Sequence, residues 1–264
     1  MKRILGLMVL VGVLMIPSVG SADQIGIYVA PKFVYGLTQM RGVKVAEDYD
    51  YAGSLPPGTT PSSGNLGSHT DNTFGGSIAI GYDFSKKFNV PVRTELEYAA
   101  FSTAEAKHHQ RIVFDDTDHE DLWNKQTYQI QTLFINAYWD INTGTKFTPY
   151  LGAGLGMGFI GTKARDWGAS YNPADPYGPD RDEFDNPINK KTRTNFAWNI
   201  GAGVGYDITD NWTIDAGYRF VGLGSVKSGN NREYDDNGDF LGNSWFKTRN
   251  LYHHQFAIGL RFTF

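Results

Sequence analysis

Three groups of side chains in this 264-residue chain carry the types that chemistry needs. The first is His108 and His109, followed by Asp115, Asp116, Asp118, His119, Glu120 and Asp121. Imidazole and carboxylate donors so close could hold a divalent cation, but a run of like charges is also what a solvated acidic segment looks like. The second is Asp235, Asn237 and Asp239, spaced like the opening of a calcium loop. Phe240 stands where the turn glycine belongs and Phe246 where the bidentate glutamate belongs, so the match fails. The third is His253 and His254, with Ser225, Ser228 and Ser244 upstream. A Ser–His pair would serve acyl transfer, and an Asp–His arrangement would serve proteolysis, but no spacing singles out a nucleophile with its base and orienting group. No catalytic, cofactor or metal residue is therefore assigned. Without cysteine there is no thiolate nucleophile, no disulfide framework, no Cys-based zinc site and no cysteine for N-terminal lipidation. The net charge of −4 has no long basic run beside it, which argues against nucleic acid as a partner.

The elements that must carry these residues begin after an export signal. Lys2 and Arg3 precede an apolar stretch, Ile4 to Ile16, followed by Pro17 and the small residues Gly20-Ser21-Ala22. Residues 1–22 are expected to be a signal peptide cleaved after Ala22, because the apolar run is short for a membrane helix. Residues 23–264 are expected to be one domain.

In that domain the governing rhythm has a period of two. Tyr252, His254, Phe256, Ile258, Leu260, Phe262 and Phe264 alternate with His253, Gln255, Ala257, Gly259, Arg261 and Thr263. One such strand could belong to a soluble, half-buried sheet. The pattern returns in about eight segments, among them Ile27–Tyr35, Phe74–Phe84, Val92–Ala100, Leu133–Ile141 and Pro149–Phe159. Tight turns at Ser85–Val90, Asn142–Lys146 and Thr209–Asn211 alternate with long connections at Gln39–Thr73, Ala104–Lys125, Thr162–Lys191 and Ser225–Arg249. The fold expected is all-β: a transmembrane antiparallel up-and-down β-barrel, with short periplasmic turns and four long extracellular loops. A soluble periplasmic sandwich is the structural rival.

A strand-based span must close on itself, because lipid offers no hydrogen bonds to an open edge. Outer-membrane lipid then contacts the apolar set, with Trp139, Trp198 and Trp212 towards the strand ends. The inward set contains Lys32, Asp83, Arg93, Glu95, Glu97, Asp140, Asp207, Asp215, Arg219 and Arg261. Both signs are present, so a salt-bridge network filling a narrow interior is expected, with a pore lined by the same charges as the alternative. The glycine ladders at 152–158 and 201–205 leave room there for opposing Tyr and Arg side chains.

Phe147-Thr148-Pro149-Tyr150-Leu151-Gly152-Ala153-Gly154-Leu155-Gly156 resembles the fifth strand of opacity-type outer-membrane barrels. Residues 200–212, reading IGAGVGYDITDNW, resemble their sixth strand, turn and seventh strand; Asp215–Phe220 and Asn136–Asp140 continue the likeness. The C-terminal strand ending in Phe264 is similar to the signal by which the barrel-assembly machinery recognises such proteins. The resemblance implies a Gram-negative surface protein whose loops are available to an extracellular ligand or host surface. Three functions stay open on sequence alone: a non-enzymatic surface barrel acting through its loops, a narrow channel for ions or small solutes, and a lipid-modifying or proteolytic enzyme.

Overall fold

The computed structural model describes residues 25–47, 62–113, 119–171, 182–234 and 240–264. The expected signal peptide, the acids at 115, 116 and 118, and the failed calcium loop at 235–239 lie outside them. Eleven strands are described: β1 (Ile27–Glu47), β2 (Ser62–Asp83), β3 (Val92–Phe101), β4 (Ala104–Val113), β5 (His119–Asp140), β6 (Phe147–Tyr171), β7 (Asp182–Asp207), β8 (Trp212–Gly222), β9 (Val226–Lys227), β10 (Asn231–Tyr234) and β11 (Phe240–Thr263). Eight of them form an antiparallel ring in the order β1-β2-β3-β5-β6-β7-β8-β11, and β11 pairs back onto β1 from Tyr28↔Thr263 to Glu47↔Ser244. Phe264 seals the bottom of that seam: its N–H donates to Ile27 O, and its carbonyl accepts from Ile25 N, both at 2.9 Å.

The alternation behaves as lipid demands. Ile27, Phe33, Ile78, Ile80, Leu96, Ile135, Leu155, Ile200 and Ile258 are exposed on the outside, while their sequence neighbours Tyr28, Ala79, Glu95, Glu97, Phe134 and Asn199 are buried inside. The three tight turns lie at one end as expected. The first contains a short helix, α1 (Ser85–Phe88), closed by Asn89 in the left-handed region at φ 54°.

The long connections differ from the expectation. Most of their length is strand: β1, β2, β5, β6, β7 and β11 run for 21 to 26 residues, about twice what crosses the hydrocarbon. Only β3 and β8 stop near the membrane edge, at Phe101 opposite Gly75 and at Gly222 opposite Trp198. Above those stops β4 pairs with β5, and β9 and β10 pair with β11. The ring therefore divides into two four-stranded sheets. One is made of β9/β10, β11, β1 and β2, and the other of β4, β5, β6 and β7.

Side chains replace the ladder at the two seams. Glu105 N donates to Asp71 Oδ2 at 2.8 Å on one side, and Asn195 Nδ2 donates to Leu223 O and Ser225 O, each at 2.8 Å, on the other. Between the sheets lies an apolar core. Met40, Val43, Leu66, Phe246 and Leu251 come from the first sheet; Ala104, Ala106, Ile130, Ile160, Ala164 and Ile188 come from the second. We call this two-sheet extension the crown.

Candidate functional site

Two interiors are stacked along one axis. The lower one is ionic. Lys32 Nζ lies 2.8 Å from both Glu95 Oε2 and Glu97 Oε2, and Arg219 bonds Glu97 and Gln255. Arg93 grips Asp140 through two bonds of 2.6 and 2.9 Å, and Arg261 reaches Asp215 at 3.2 Å. The hydroxyls of Tyr28 and Tyr138 donate to Glu95 at 3.1 and 3.2 Å. Such charges survive burial because each has a partner; a lone one would cost several kcal/mol.

The glycines make the space for this network. A Cβ on Gly203 would sit 2.4 Å from the Tyr150 hydroxyl, and one on Gly152 would sit 2.5 Å from the Tyr138 ring. Arg93 then lies over both rings, 5.1 Å from Tyr138 and 5.0 Å from Tyr150. The cavity left among Lys32, Glu95, Glu97, Tyr150, Asp215 and Arg219 is about 50 Å³, room for a few waters. Two of the ten expected lumen charges serve elsewhere. Asp83 accepts from Ser85 N and Oγ at the first turn, and Asp207 accepts from Thr213 Oγ1 at 2.7 Å, because strand parity alone cannot tell a lumen residue from one that caps a turn.

The candidate catalytic groups are dispersed. Gln255 Nε2 donates to His253 Nδ1 at 3.0 Å, which leaves the proton on Nε2, 2.9 Å from Thr73 Oγ1. His254 points the other way and bonds the Tyr218 hydroxyl at 2.8 Å. Ser228 Oγ accepts from Phe246 N at 2.9 Å and donates to Gly229 O at 2.7 Å. Both imidazoles and this serine are thus engaged with partners that build the wall.

In the crown, Asp121 is held by Arg111 through bonds of 2.8 and 2.7 Å and by His109 Nε2 at 3.0 Å. Hydrogen bonding from the Arg111 guanidinium holds this carboxyl well below the usual carboxylate range. His108 instead faces His69 across the first seam, ring centroids 6.3 Å apart, and burial pushes its pKa down, with His69 and His109 adding to the shift. Among the described residues, no three His, Cys, Asp or Glu side chains converge as metal ligands would.

The outward side of the second crown sheet is ordered in rungs. His109, Trp123 and Trp167 stand in register, with His109 stacked on Trp123 at 4.8 Å and Trp123 parallel to Trp167 at 6.5 Å. One rung closer to the membrane stand Lys107, Lys125 and Arg165. Sequence reasoning missed both rungs. The signal was present as an alternation of opposite sense: Ala104 and Ala106 inward, with Glu105, Lys107, His109 and Arg111 outward.

The description "Outer membrane protein beta-barrel domain" matches residues 36–264, nearly the whole closed ring. This chain belongs to that family. It is an integral protein of the Gram-negative outer membrane, an eight-stranded barrel with lipid on its apolar face. Among curated relatives, the outer membrane protein PagN of Salmonella typhimurium is 34% identical over 172 residues, 65% of this chain and 66% of PagN, short of that protein's full length. Opacity protein opA66 of Neisseria gonorrhoeae is 26% identical over 260 residues, covering 85% of this chain and 98% of the relative. Among solved structures, neisserial surface protein A aligns with a TM-score of 0.41 at 17% identity, covering 90% of this chain and 97% of that one.

Proposed function

We propose that this outer-membrane barrel is a non-enzymatic surface protein that acts by binding through its crown, in adhesion or in holding the envelope together. One observation carries the reading: the apolar core between the crown sheets caps a lumen already filled with ion pairs, while the exposed face of the crown carries stacked aromatics and charge. A conducting path would have to cross Ile130, Ile160, Leu251 and Phe246, each at most 2% exposed. Resemblance to PagN and to the opacity proteins supports a surface role.

Export fits the same picture. Residues 1–22 act as a cleaved signal peptide, and the C-terminal strand ending in Phe264 is the segment presented to the assembly machinery. N-terminal sequencing of the mature protein should begin at Asp23, and removing Phe264 should lower its level in the outer membrane.

Purified protein in planar bilayers is expected to give no steady unit conductance; regular openings in the wild type would replace this reading with the channel. Lipid A mass analysis and protease assays, with and without expression, test the enzymatic alternative.

A further inference from the structure

The two seams of the crown are closed by different means. At the second, Arg193 Nε donates to Lys227 O at 2.9 Å, above the two bonds from Asn195, so side-chain donors follow the edge upward. At the first, Ser102 N donates to Phe74 O at 2.7 Å. One step higher the Asp71 carboxylate accepts from Asn72 N at 2.9 Å and from Glu105 N at 2.8 Å. Above Asp71 no hydrogen bond joins β2 to β4 among the described residues. At that level His69 faces His108, edge to face, with ring centroids 6.3 Å apart.

The two imidazoles are presented as ligands are. His69 is oriented from its far side, where Nε2 lies 3.2 Å from Leu66 O. A carbonyl only accepts, so Nε2 carries the proton and Nδ1 keeps the lone pair. Metal-binding imidazoles are held in this way, one ring nitrogen donating to a backbone carbonyl and the other left for the ion. The His108 ring makes no hydrogen bond among the described residues, which leaves its nitrogens open. Both rings are half-buried: fixed by the seam, yet within reach of a hydrated ion. Asp71 lies two residues from His69 on the same face of β2. Its oxygens already hold two N–H groups, so it adds negative charge beside the pair rather than a third ligand.

Donor chemistry narrows the choice of ion. Calcium and magnesium take oxygen, whereas imidazole nitrogen suits zinc and its first-row neighbours. With Zn–N of about 2.0–2.1 Å, two rings on one tetrahedral ion have centroids about 5 Å apart, so the seam must draw in by about 1 Å. Edges that share no ladder above Asp71 are free to do so.

We propose that His69 and His108 form a zinc-class divalent metal site that clasps the first seam, with water in the remaining positions. The ion links β2 of one crown sheet to β4 of the other at the level where hydrogen bonding between them ends. The rings separate when the sheets part, so the ion binds the closed seam alone, and metal and closure favour each other. The clasp is independent of what the outer face of the crown binds.

The test uses the protein refolded into detergent micelles, stripped of metal with chelator and titrated with zinc chloride. Calorimetry on the wild type should show one ion per chain, and His69→Gln and His108→Gln should each weaken binding about tenfold or more. With zinc at ten times its Kd, protease cutting through the opened seam should slow about tenfold in the wild type and stay unchanged in both variants. Heat-modifiable gel migration certifies that the variant barrels are closed. If a variant crown does not form, the wild type alone decides: in nitrogen-15 spectra zinc should act on two of the six histidines, on His69 through Nδ1. Undiminished binding by the double variant, or shifts confined to other histidines, would overturn the proposal. So would zinc that binds without slowing the opening of the seam, which would be an adventitious ion only.

Discussion

The barrel and the crown are built from the same strands, yet they are chemical inverses. Within the membrane β1 turns Phe33 and Tyr35 outward and Lys32 inward; higher up it turns Arg41 and Lys44 outward and Met40 and Val43 inward. On β6, Leu155 and Met157 face out at lipid level, followed by Lys163 and Arg165, while Ile160 and Ala164 line the interior above. The pleat continues, and only the solvent outside it has changed from hydrocarbon to water. A sheet must hide its apolar side from water and its polar side from lipid, so the inversion marks the height of the membrane surface.

The comparison predicts that damage in the lower interior destabilises the whole protein, whereas damage in the upper one is local. The largest effect is expected for Glu97→Leu, which leaves Lys32 and Arg219 buried without their shared carboxylate. About 3–5 kcal/mol of unfolding free energy should be lost, read from denaturant titration in lipid vesicles. A loss below 1 kcal/mol would mean that the network is wet and replaceable. Ile160→Ala, at a fully buried crown position, should cost about 2–4 kcal/mol. It should also open the crown to protease while leaving the heat-modifiable barrel band intact; joint loss of both would show that the two regions unfold as one.

Gly203→Val forces the wall against Tyr150 and the Ala216 carbonyl, with an expected cost of about 1–3 kcal/mol in the same titration. The smallest effect concerns pH. Because His108 titrates below an ordinary imidazole, the unfolded chain takes up its proton first as pH falls. Its contribution to crown stability is therefore complete above about pH 6.5 and is lost on acidification through the window below. The titratable groups that act on it are His69 and His109. The exchange protection of the Glu105 amide should fall between pH 7 and 5 in the wild type and change less in His108→Gln. An unchanged pH profile in that variant would remove His108 from the account.

The sequence made the eight membrane segments and three turns legible because lipid imposes one sense of alternation, and a residue such as Leu155 between glycines satisfies it plainly. The lower interior was legible by composition but not by partner. That Glu97 meets Arg219, 122 residues away, follows from which strands face each other across the lumen, and no local pattern encodes that. The crown was hidden for a different reason. Residues 104–111 alternate as cleanly as any membrane strand, but with the charges outside, and a search for apolar outward faces reads them as loop. The partners of the rim imidazoles were not legible either: His253 bonds Thr73 and Gln255, a choice made by packing rather than spacing.

The length of β7 sets a stand-off distance. From Trp198 at the girdle to its upper end at Asp182 the strand climbs sixteen residues, about 40 Å at the usual tilt. The far end of the molecule is thereby held about 40 Å above the girdle, on a stalk whose stiffness comes from paired strands and an apolar interior.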